Sequence, residues 1–155
     1  MLAAWLSFSS DPKDRIDLLL KLAGGLWALI LFTLKVKADR DKARADHAAW
    51  VTRLYEKFFE RSELKKVREE IDCGTREAIA AIVQKCDPEF TDYLNFFEYV
   101  AYLNTNGQLT DSEVEGLFGY YFNCLGQNPD IMGYIENTAT HGYEQLAKLL
   151  HDRKR

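Results

Sequence analysis

An all-α fold follows from three observations on the chain. No stretch alternates apolar and polar residues with the period of two that a half-buried strand requires. Apolar residues recur instead at spacings of three and four, the mark of a single helix face. Between these segments stand helix start signals: Asp87-Pro88-Glu89, the capping box Thr110-x-x-Glu113, and Asn128-Pro129.

Residues 1–15 carry Trp5 and Phe8 and break at Asp11-Pro12, where Ser10 or Asp11 is placed to cap the helix that Pro12 opens. Too short to span a bilayer, this piece is expected at the interface or outside the cytoplasm, with Trp5 as its anchor. Residues 16–36 follow as one transmembrane helix. Leu22 to Leu34 carry no charge, but thirteen helical residues rise only about 20 Å, against a hydrocarbon core of about 30 Å. The span therefore runs from near Ile16 to near Val36, with Lys21 and Lys35 snorkelling toward the two head-group layers. Because the run is apolar on every side, a core helix with one buried stripe is disfavoured. The segment ahead of it is not basic and no small-residue cleavage site follows, which disfavours a signal peptide. Gly24, Gly25 and Ala28, with Ala23, form a small-residue patch that suits close packing of helices in lipid.

Orientation follows from the cations. Lys35, Lys37, Arg40, Lys42 and Arg44 lie behind the span, against Lys13 and Arg15 ahead of it. The expectation is a single pass in a bacterial inner membrane with the C-terminus cytoplasmic.

Residues 37–155 then form a cytoplasmic bundle of about six helices. His47, Trp50, Val51, Leu54, Tyr55 and Phe58 give one stripe, continued by Leu64, Val67 and Ile71 beyond Ser62, a candidate cap. With no Gly or Pro between the span and this helix, the two are expected to form a rigid lever. Thr75 caps a helix over residues 76–85 that buries Ala78, Ile79, Ile82, Val83 and Cys86. The helix after Pro88 bears two adjacent stripes, Phe90/Leu94/Phe97/Ala101 and Tyr93/Phe96/Val100/Leu103, and should be central. Further helices follow from Thr110 to about Gly126, from Pro129, and over about residues 142–153. Glu113 falls at the last position of a calcium-type loop, but Tyr102 occupies its first and offers no carboxylate. A capped turn is the better reading.

At 155 residues, the chain less an anchor of about forty leaves about 115, enough for one core. The net charge of −4 argues against DNA as a partner. Cys73, Cys86 and Cys124 show no paired spacing, and three histidines complete no zinc set. No phosphate-binding glycine loop, metalloprotease motif or nucleophile elbow occurs, so no catalytic residue, metal or cofactor is assigned and the chain is read as a non-enzyme. Residues 99–143 are dense in tyrosine, asparagine and histidine, groups that stack on bases and pair with purine edges. The residues assigned to such a ligand are Arg76, Lys85, His141 and Tyr143.

The run DYLNFFEYVAYLNTNGQLTDSEVEGLFGYY, residues 92–121, resembles a family of small bacterial membrane proteins with one N-terminal span and a helical domain of unknown function. The residues that carry the resemblance are the aromatic pair in LNFFEYVAYL, the turn at Gly107, the Leu109-Thr110-Asp111 step and Leu117-Phe118-Gly119. In layout and size the chain also looks like the membrane-anchored accessory effectors of type III CRISPR defence. That likeness implies a tetramer whose cytoplasmic domain binds a cyclic oligonucleotide, cyclic tetra-adenylate, and which acts on membrane lipid in antiviral defence. The competing expectation is a non-enzymatic adaptor that holds a protein partner at the membrane.

Overall fold

The computed structural model describes residues 12–85 and 87–153. The proposals for Trp5, Ser10, Asp11 and Cys86 lie outside the described residues. Within them every regular element is a helix, and eight occur in order: α1 (Pro12–Glu60), α2 (Ser62–Cys73), α3 (Arg76–Lys85), α4 (Pro88–Thr105), α5 (Asp111–Gln127), α6 (Pro129–Glu136), α7 (Thr138–His141) and α8 (Glu144–Arg153). The chain divides into two units, Met1–Val51 and Thr52–Arg155.

In the first unit α1 contains an apolar window of mean hydropathy 1.8, none of it buried by protein. Leu20, Leu22, Leu26, Trp27, Leu29 and Phe32 are all more than half exposed. A helix so apolar with no protein cover is a candidate membrane span by length and composition. Lys21 pairs with Asp17 at 2.6 Å one turn back. The Thr33 hydroxyl donates to the Ile30 carbonyl at 2.8 Å, which satisfies it within its own helix.

The second unit is built around Phe58 and α4. Phe58 is fully buried and its ring meets those of Tyr93, Phe96, Phe97, Phe118 and Tyr121 at centroid distances of 4.8–6.0 Å. The Phe96 pair is stacked and the other four are tilted or edge-on, and aromatic pairs of these kinds add to the area they bury. Both expected stripes of α4 are buried except Phe96, which is half-buried, and α4 packs against both α2 and α8. The breadth of its apolar face, legible in sequence, is what makes it central.

The helix boundaries follow their caps. Asp87 accepts from the Glu89 amide at 3.0 Å and Pro88 opens α4. Thr110 and Glu113 form the reciprocal capping box of α5. The Asn128 side chain accepts from the amides of Asp130 and Ile131. The Ala78 amide donates to the Thr75 hydroxyl at 3.3 Å at the start of α3. Several expectations are corrected. Ser62 is the first residue of α2 and makes no side-chain cap; Arg61 holds the cap position with extended backbone. Gly126 does not stop α5, which continues to Gln127 until Asn128 and Pro129 end it. Among the described residues of the expected α3 face, only Ile79 is buried, while Ala78, Ile82 and Val83 are half-buried. The last helix starts at Glu144, not Gly142, because the short α7 intervenes and Gly142 closes it in the left-handed region at φ 76°. Such a backbone is strained for residues with a Cβ.

Candidate functional site

The four residues assigned to ligand binding are not gathered in one cavity. Arg76 opens α3 and its side chain, largely open to solvent, reaches the half-buried Asp130 of α6 at 3.5 Å. Lys85 closes α3 and is exposed. Nine helical steps lead from one cation to the other, a rise of about 14 Å. His141 ends α7 and stacks on Tyr134 with centroids 3.8 Å apart and planes at 16°. Tyr143 is 3% exposed and belongs to the core, its ring 6.0 Å from that of Tyr134. Phe90 adds an edge contact to the same tyrosine at 5.6 Å. Tyr134 is therefore the hub of the aromatic set, one helical turn beyond the Asp130 that Arg76 meets.

Arg76 also borders a shallow groove of about 360 Å³ with Ile71, Ile79, Cys124, Gln127, Asn128 and Pro129. One cation and two side-chain amides at its rim are groups that an anionic, base-bearing ligand would use, although the Asn128 oxygen already caps α6. Near the same groove lies a polar knot that sequence reading did not find. Tyr120, 60% exposed, has Cys124 and then Asp72 acting on its hydroxyl, and together they push its pKa up to about 12. Burial first, with Asp72 nearby, raises the Cys124 thiol, a rise that the Tyr120 bond partly offsets. The Tyr93 hydroxyl is buried and finds no hydrogen-bond partner among the described residues, and burial raises it well above the usual phenol range. No motif announces such a knot, since Asp72 and Tyr120 meet only through the packing of the bundle.

A second groove of about 390 Å³ contains Asn104, Asp111, Glu115, Asp152 and Arg153. Arg153 donates to Glu115 and Asn104 donates to Asp111 at 2.8 Å, so much of its polarity is satisfied internally. Among the described residues no group of three or more histidine, cysteine or acid side chains is arranged to hold a metal ion.

The outer side of α4 is of a different kind. Asn95, Tyr99 and Tyr102, with Asn106 at the cap just past the end of α4, are all exposed and recur at four, three and four residues, so they form one stripe. Tyr99 and Tyr102 are 49% and 51% exposed. In a chain with 28% charged residues, this stripe carries no charge. The small-residue patch on α1 is open as well, since a Cβ added at Gly24 or Gly25 would meet nothing within 4 Å. Ala28, one turn on from Gly24, is exposed too.

No known protein family matches the chain, and neither a curated protein nor a solved structure matches it.

Proposed function

We propose that this chain is a membrane-anchored interaction module without catalytic activity, in which α1 fixes the helical domain at a bilayer and the outer stripe of α4 engages a protein partner. The observation that carries this reading is the uncharged, exposed row Asn95/Tyr99/Tyr102/Asn106. Tyrosines bury large area at low entropic cost, and they anchor protein contacts more often than most residue types. A phosphate-bearing ligand would need a cation beside the rings, and this row has none.

The test is site-specific photocross-linking of the full chain in its native membrane. A cross-linking amino acid at Tyr99 or Tyr102 gives a discrete protein adduct, whereas one at exposed Glu69 of α2 does not. Equal labelling at all three positions, or none, rejects the stripe as the contact surface.

A second reading, a ligand-gated effector that binds cyclic tetra-adenylate and acts on the membrane as a homo-oligomer, is favoured by one observation. Arg76, Gln127 and Asn128 share a groove, and Arg76 pairs with Asp130 one turn from the Tyr134–His141 stack. Full chain titrated with cyclic tetra-adenylate would release heat that Arg76→Ala removes. An absence of heat at micromolar ligand rejects it.

A further inference from the structure

The cations that follow the apolar run are not spread evenly round α1. At 3.6 residues per turn, Lys37, Arg40 and Arg44 fall within about 60° of one another. Lys35 and Lys42 fall on the opposite side, about 160° away, together with Asp39 and Asp46. The second set is locally balanced, two cations with two acids. The first set has three cations and is flanked by a single acid, Asp41, for a net charge of +2. All three are exposed, and among the described residues none enters an ion pair. They share a shallow depression of about 380 Å³ with Phe32, Val36 and Asp41, so apolar and cationic groups adjoin on one face.

Depth matters as much as angle. If the hydrocarbon boundary lies near Val36, Lys37 and Arg40 start about 1.5 and 6 Å beyond it. The head-group layer is about 5–8 Å thick on each side. Arg44 starts about 12 Å out, but helical side chains tilt toward the N-terminus, here toward the bilayer, and its long stem lets the guanidinium reach back. Guanidinium groups also pair with phosphate oxygens in two-pronged fashion.

We propose that this face of α1 binds the head groups of anionic phospholipids, with Lys37, Arg40 and Arg44 on the phosphates and Phe32 and Val36 against the upper acyl chains. The proposal rests on the reading of α1 as a membrane anchor, and it adds a lipid preference with a defined direction round the helix. Charge complementarity selects the occupant: a net positive, half-apolar face at head-group depth matches an acidic lipid, which carries both parts.

The test uses the full chain reconstituted in phosphatidylcholine vesicles containing spin-labelled lipids, either phosphatidylglycerol or phosphatidylcholine. Lipid held at the protein surface gives a motionally restricted signal whose size compares the two head groups. The native chain should favour phosphatidylglycerol by about threefold or more, as expected where each cation adds a favourable increment. Arg40→Gln with Arg44→Gln should bring the ratio close to one. Lys35→Gln with Lys42→Gln removes the same number of charges and should leave the preference largely intact. Equal losses in the two double variants would mean unspecific charge attraction and overturn the proposal. Restricted lipid without preference, as when an acidic protein is the true occupant of the face, would also overturn it. No restricted lipid of either kind would refute the anchor itself, a separate outcome.

Discussion

The Tyr93 hydroxyl is buried without accepting or donating a bond among the described residues. A buried hydroxyl left unpaired costs about 1–3 kcal/mol. Tyr93→Phe should therefore leave stability unchanged or raise it by up to about 1 kcal/mol, as read from thermal unfolding in detergent. A loss of 1 kcal/mol or more would show that the hydroxyl is paired after all. Glu98 behaves in the opposite sense. Its carboxylate accepts from the amides of Gln145 and Leu146 at 3.1 and 2.7 Å, so a side chain of α4 caps the first turn of α8. Loss of such a cap costs about 0.5–2 kcal/mol. Glu98→Ala should destabilise by about that amount and speed amide exchange at Gln145 and Leu146 before other α8 positions. The raised groups also give a sign for pH. Cys124 lies above its usual value of 9.0 and Tyr93 above 10.0. The folded state thus holds these protons more tightly than the unfolded chain does, so their contribution is full at neutral pH and fades as pH rises past about 9. Melting temperatures measured from pH 8 to 11 should fall, and Cys124→Ser should make the early part of that fall shallower. A flat profile would contradict the assignment.

Among the elements, those announced by local chemistry were legible and those set by packing were not. Asp87-Pro88, Thr110 with Glu113, and Asn128-Pro129 each satisfy orphan amides within three residues, so sequence alone placed the starts of α4, α5 and α6. Phe58 and the double stripe of α4 were likewise visible, because periodicity records burial. The end of α5 was misplaced because Gly126 only permits a stop, while Asn128 and Pro129 enforce it. Helix α7 was hidden because its four residues carry no apolar period. In the candidate sites, the Asn95/Tyr99/Tyr102/Asn106 row was present in sequence as composition, but its exposure depended on which side of α4 the core took. The cap of α8 by Glu98 was invisible for the same reason, since its partners lie 47 and 48 residues away. Phe58→Ala is the sharpest test of this hub and should cost about 3–5 kcal/mol. A loss below 1 kcal/mol in urea titration would mean that the ring cluster is not the core.

For the whole molecule, an apolar helix without protein cover and a well-buried helical unit impose different demands on one chain. The anchor reading predicts that the full chain stays with membranes after alkaline carbonate extraction and is released by detergent. The cation asymmetry round residues 35–44 predicts that a C-terminal reporter active only in the cytoplasm is active. A reporter active only in the periplasm would reverse the topology. The long separation between Glu98 and its partners also has a consequence for biosynthesis. A ribosome adds about 5–20 residues each second, so Glu98 and the side of α4 that faces α8 emerge about 2–9 s before Gln145 follows. During that interval the helix that buries the most residues in the domain is without one of its covers. The nascent chain is then most exposed to chaperones and proteases, and slowing translation between residues 105 and 144 should lower its yield more than slowing it elsewhere.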